Sequence, residues 1–117
     1  MKIQFIFSVL CFVLISCRDS NLHRLTILNQ NKQTIDSAKI RVAGLALKFG
    51  AIKTGESETQ GFVVLSESRS EGAFFGTFFL HNADTIRSNF GYFSNTDDIQ
   101  DKIVVIVDSS GKIKEKY

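Results

Sequence analysis

The 117-residue sequence predicts an all-β domain, a single β-sandwich, behind an N-terminal hydrophobic segment. Three observations predict it. From position 22 onward apolar residues alternate with polar ones or come in short runs, the period of a half-buried strand, and no stretch carries the 3.6-residue period of a helix. The runs are separated by clusters of Gly, Asn, Asp and Ser, the residues that favour turns. A 44% hydrophobic, 22% charged composition has enough apolar surface to fold, and the length holds one domain. With 14 basic and 12 acidic residues, the chain is too balanced for a dedicated nucleic-acid binder.

The elements follow in order. Lys2 precedes an apolar run, 3–15, broken by Gln4 and Ser8. It is too short for a hydrocarbon core that needs about 20 helical residues. It matches the hydrophobic core of an export signal, expected to be helical. The run ends at Ser16-Cys17, and the polar stretch Arg18-Asp19-Ser20-Asn21 follows.

Leu14-Ile15-Ser16-Cys17 resembles the lipobox of bacterial lipoproteins, with Leu three positions before Cys and a small residue beside it. The resemblance implies cleavage between Ser16 and Cys17 and diacylglycerol on the Cys17 thiol. It also implies a cell-envelope location. Arg18 after the cysteine, rather than Asp, implies the outer membrane in a Gram-negative cell. The expected organisation is a signal peptide over 1–16, lipidated Cys17 with a linker over 17–21, and a sandwich over 22–117. Such a linker reaches at most about 17 Å, which holds the domain against the membrane.

In the sandwich, 22–28 reads as a strand with Leu25 and Ile27 on one face, and Asn29-Gln30-Asn31-Lys32 as a turn. Residues 37–42 turn Ala38, Ile40 and Val42 inward and Lys39 and Arg41 outward. Residues 45–52 put Leu45, Leu47 and Phe49 on one face. After the turn 53–56 come a strand at 60–65, a polar loop at 66–72 and an aromatic strand at 73–80. The last contains Phe74, Phe75, Phe78 and Phe79 around Gly76. A tight connection at 81–84 leads into a strand at 85–93, then an acidic loop at 94–101. The unbroken apolar run 103–107 reads as a buried strand, and a short tail strand follows.

About seven strands at this spacing predict a sandwich of immunoglobulin or transthyretin type. The segments Ala38-Lys39-Ile40-Arg41-Val42, Phe49-Gly50-Ala51-Ile52, Gly55-Glu56 and Phe90-Gly91-Tyr92-Phe93, with Asn29, resemble a loose group of small bacterial lipoproteins. That resemblance implies the same fold and address and carries no functional residues.

Catalytic and metal chemistry find little footing. His23 and His81 have no clustered ligands or recognisable partners, and no Gly-x-Ser-x-Gly elbow is present. Glu56 and Glu58 fall on what reads as an exposed turn. The acidic stretch from Asp97 lacks the Gly and Glu of a calcium loop. The chain is therefore read as a non-enzyme without a cofactor. Two binding candidates remain. Lys39 and Arg41, with Lys48 nearby, form a basic patch for an acidic partner or anionic headgroups, against the alternative of a solvated sheet face. The aromatic strand either has one face in the core and the other under a loop, or exposes one face as a binding patch. The expected partners are the membrane, through the lipid, and an envelope protein. The alternative is a ligand-binding module or small inhibitor holding an apolar or anionic molecule.

Overall fold

A computed structural model describes residues 22–64, 72–93 and 99–116. Eight strands follow one another: β1 (Leu22–Asn29), β2 (Ile35–Val42), β3 (Leu45–Phe49), β4 (Ser57–Val63), β5 (Gly72–Leu80), β6 (Thr85–Phe93), β7 (Lys102–Val107) and β8 (Ile113–Lys116). They form two four-stranded sheets, ordered β4-β1-β7-β8 and β3-β2-β5-β6. Neighbours run antiparallel except β1 and β7, which are parallel. The described residues contain strands and no helix, in a sandwich-like arrangement. The expected signal segment, Cys17 and the linker lie outside the described residues, as does most of the two expected polar loops.

The core lies between the sheets. Leu25 and Ile27 of β1 and Ile103, Val105 and Val107 of β7 face Ile40 and Val42 of β2 and Phe74 and Phe78 of β5, all buried. The run 103–107 is not buried on both faces as its apolar composition suggests. Val104 and Ile106 are half-buried on the outer side, because a strand turns successive side chains to opposite faces. Ile99, expected in a solvated acidic loop, is a buried core residue.

At one end the core is aromatic. Phe74 stacks on Phe90 with ring centroids 5.4 Å apart and meets Phe62 and Phe93 edge-on, each at 6.2 Å. Phe74 also sits on the backbone of Gly91, where a Cβ would come within 2.8 Å of its ring. Gly91 has φ +63 and belongs to an irregularity in the β5–β6 register, where only glycine combines the left-handed backbone with room for the ring.

The fourth strand begins at Ser57, before the apolar run at 60–65. Its polar start is explained by its neighbours. Glu58 and Gln60 stand opposite the inward-facing Ile27 and Leu25, so their side chains turn toward the other sheet's edge. There the Glu58 carboxylate accepts from Gly50 N–H at 3.2 Å, and the Gln60 amide donates to the Lys48 carbonyl. Two polar side chains thereby close the free edge of β3. The expected strand at 45–52 ends at Phe49, and Ile52 returns to exchange two backbone hydrogen bonds with Ile35.

Asp108 organises the turn between β7 and β8. Its Oδ1 accepts from Lys112 N–H at 2.8 Å, the Ser110 hydroxyl at 2.8 Å and Ser110 N–H at 3.0 Å. The Lys112 N–H, then the Ser110 hydroxyl, hold the carboxyl below its ordinary value, with the Lys114 ammonium adding to them. A folded-state value below the unfolded one contributes stability above the unfolded value, about 3.9, and loses it as pH falls through the folded value. Asp108→Asn is therefore expected to lower the urea midpoint at neutral pH, and the gap to wild type is expected to close below about pH 3.9. Urea titrations across that range check both statements.

Candidate functional site

Among the described residues, the concentration of recognition chemistry lies on the outer face of β3-β2-β5-β6. Strand register builds this face in rows. Lys48, Lys39, Thr77 and Arg87 are successive cross-strand partners over all four strands, and Ala46, Arg41, Phe75 and Asn89 form the next row. A third row holds Ser37, Phe79 and Thr85. Lys39, Arg41 and Lys48 thus stand together, with Lys39 directly opposite Lys48.

Like charges directly opposite on a sheet repel. Among the described residues Lys39, Arg41, Lys48 and Arg87 take part in no ion pair. Asp36 is the one acidic residue in these four strands, and its carboxylate lies 3.1 Å from His81 Nδ1.

The aromatic strand is divided residue by residue. Phe74 and Phe78 are 1% and 0% exposed, while Phe75 and Phe79 are 51% and 44% exposed. The expectation that its second face lies under a loop is thus corrected. Each Phe–Phe doublet sends one ring into the core and the next outward, because the side-chain period of a strand is two.

An open groove of about 730 Å³ crosses this face, lined by Lys39, Arg41, Leu45, Phe75 and Thr77 among others. A smaller depression of about 310 Å³ shares Phe75 and Thr77 and extends to Arg87. The groove lies toward the end of the sandwich where β1 begins. His23 stacks on Phe62 at 5.2 Å, Phe62 meets Phe74, and Phe75 is the next residue.

The outer face of the other sheet carries Arg24, Lys102, Lys114 and Lys116. It differs in two respects. Lys114 is 3.7 Å from the Asp108 carboxylate, and the central apolar side chains, Leu28, Val104 and Ile106, are half-buried aliphatics rather than exposed rings.

The remaining candidates fall apart in space. His23 Nδ1 donates to the Gln100 carbonyl at 3.0 Å. His81 lies beside Asp36 at the opposite end, where its backbone N–H bonds Thr34. Both partners are distant in sequence and are brought in by strand pairing. Among the described residues no three His, Cys or carboxylate groups converge in a metal-holding arrangement. Glu56 and Glu58 do not share an exposed turn, since Glu58 lies in β4 on Gly50. Ser16 and Cys17 lie outside the described residues.

Sequence reasoning missed Arg87 and left open which face of the aromatic strand is exposed, the one carrying Phe75 and Phe79. A signal existed for Arg87: the short 81–84 connection joins β5 to β6, and turn length fixes hairpin register. Counting back from that turn sets Phe79 opposite Thr85 and Thr77 opposite Arg87.

The chain matches no family model and no curated protein. Among solved structures it is similar to the NMR structure of a protein from Eubacterium rectale, with a TM-score of 0.59 and 8% sequence identity. That similarity covers 85% of this chain and 90% of the other, and at such identity it speaks for the fold alone.

Proposed function

We propose that this chain is a lipid-anchored envelope protein whose sandwich is a non-enzymatic binding domain, acting through the outer face of β3-β2-β5-β6. The observation that carries the binding part is that cations in no ion pair among the described residues share one sheet face with half-exposed phenylalanine rings. Isolated apolar residues on a surface are ordinary, but exposed aromatic rings on the same face as an array of cations are the composition of a recognition surface. The anchor part is supported by Leu14-Ile15-Ser16-Cys17 and the apolar run before it.

Of the two sandwich types expected, the transthyretin-like one is our reading. An immunoglobulin constant domain puts its first two strands in one sheet, whereas here β1 and β2 belong to different sheets. The second functional reading, a module for an anionic amphiphile, is favoured by the groove, in which Lys39 and Arg41 stand beside Leu45 and Phe75.

The two halves of the proposal separate in one cellular experiment. Cys17→Ala is expected to move the protein out of the membrane fraction. Arg41→Glu combined with Phe79→Glu is expected to leave it there, folded by circular dichroism, with the contacts of this face lost in whole-cell cross-linking. A double variant that keeps every contact of the wild type would overturn the binding face. A Cys17→Ala chain that remains in the membrane fraction would overturn the anchor.

A further inference from the structure

We infer that the occupant of this face is the anionic surface of a lipid bilayer, with the sandwich lying on it through β3-β2-β5-β6. The inference rests on the binding-face reading and names its partner. Charge complementarity is the first argument. The cations are distributed over three strands, on β3 (Lys48), β2 (Lys39 and Arg41) and β6 (Arg87), rather than converging on one point. A spread array suits a plane of phosphate headgroups, where each basic residue near the surface contributes separately. It suits a single bound anion poorly.

The placement of the rings is the second argument. Phe75 and Phe79 are four residues apart on β5, an even spacing that turns both outward, and they stand on either side of the row Lys39-Thr77-Arg87, with Arg41 beside Phe75. Apolar rings alternating with a basic row are the arrangement of a surface that seats in the headgroup layer, with rings at the acyl boundary and cations on phosphates. Among the described residues the opposite face has charge without exposed rings, and one of its cations is held by Asp108. A second copy is a poor occupant, because either outer face would meet basic residues.

Position is the third argument. The groove beside Phe75 lies toward the end of the sandwich where β1 starts, the end from which residues 17–21 lead back to Cys17. Docking the face and holding the chain by Cys17 therefore place the same end at the bilayer.

The chain contains no tryptophan, so one introduced indole reports on one place. The full chain, purified from membranes, is reconstituted with phosphatidylcholine vesicles or with phosphatidylcholine–phosphatidylglycerol vesicles containing brominated lipid. The probe is Phe79→Trp, and Thr59→Trp on the outer face of β4 is its control. The expected result is a blue shift and quenching of the Phe79→Trp probe on anionic vesicles alone, with the control unaffected. Quenching is expected to disappear near 1 M salt, where the screening length falls to about 3 Å. Lys39→Gln and Arg41→Gln are each expected to weaken docking about fivefold, which corresponds to the ~1 kcal/mol of one basic residue at an anionic surface.

An unshifted, unquenched Phe79→Trp probe on anionic vesicles overturns the inference, and so does equal quenching of both probes. Comparison with the cellular experiment separates the two levels. If the probe stays unquenched while cellular cross-links to a protein still depend on Arg41 and Phe79, the bilayer is the wrong occupant and the binding face stands. If neither responds, both fall.

Discussion

Phe74→Ala is expected to destabilise the sandwich by about 3–5 kcal/mol, the cost of emptying a buried aromatic site. Phe75→Ala, one residue along, is expected to stay within about 1 kcal/mol of wild type, as exposed positions do. The contrast follows from what each ring touches. Phe74 is 1% exposed, stacks on Phe90, meets Phe62 and Phe93, and rests on Gly91, so its loss leaves a void lined by three rings. Aromatic pairs of this kind add roughly 0.5–1.5 kcal/mol beyond burial, and three are lost together. Phe75 projects into the groove and is 51% exposed. Urea unfolding of the two variants checks the difference. Equal losses would mean that both faces of β5 are covered.

The second large effect is expected at Asn29, a fully buried polar side chain at the end of β1. Its Nδ2 donates to the carbonyls of Gln33 and Ile52, each at 2.9 Å, and its Oδ1 accepts from Asn31 N–H at 2.9 Å. Its backbone continues the pattern, donating to the Glu56 carbonyl and accepting from Gly55 N–H. One amide thereby ties the turn after β1 to the segment between β3 and β4. Asn29→Leu fits the volume and leaves the Ile52 carbonyl and the Asn31 N–H without a partner in a buried place, and the Gln33 carbonyl in a part-buried one. At about 1–3 kcal/mol for each unsatisfied buried group, a total loss of about 3–5 kcal/mol is expected. Asn29→Asp discriminates size from donors, because it keeps the acceptor for Asn31 and turns a carboxylate toward two carbonyls. It is expected to be no better than Asn29→Leu. A variant at either substitution with an unchanged urea midpoint would remove Asn29 from this role.

The elements legible in the sequence were those defined by local signals. The strand 85–93 is legible with the bounds it has, because the 81–84 turn and the Gly91-Tyr92-Phe93 end delimit it. The inward set Ala38, Ile40 and Val42 was legible from alternation with Lys39 and Arg41. Lys48 opposite Lys39 was within reach for the same reason, since β2 and β3 form a hairpin closed at Ala43-Gly44. Harder were the places where both choices were apolar. Nothing local distinguishes Phe74 from Phe75, and only the pairing of β5 with two neighbours decides which ring is inside. Contacts between distant positions left no trace at all: His23 with Gln100, Asn31 with the Asp108 carbonyl, and the neighbouring of β1 and β7. Asn29 was recognised as a turn former, but its burial depends on the carbonyl of Ile52, which no turn preference foretells.

The parallel pairing of β1 with β7 governs the order in which the molecule can come into being. Leu25, the first buried position of β1, lies opposite Ile103, so the earliest strand made has its central partner near the end of the chain. At about 5–20 residues per second of synthesis, β1 waits seconds for that partner. The β2-β3 and β5-β6 hairpins need only neighbouring sequence and are free to close before then. Closure of the sheet β4-β1-β7-β8 is a late, non-local event of the kind that slows folding. A nascent chain stopped short of residue 102 thus lacks the middle of a sheet rather than its margin, and no partly made version holds a finished core.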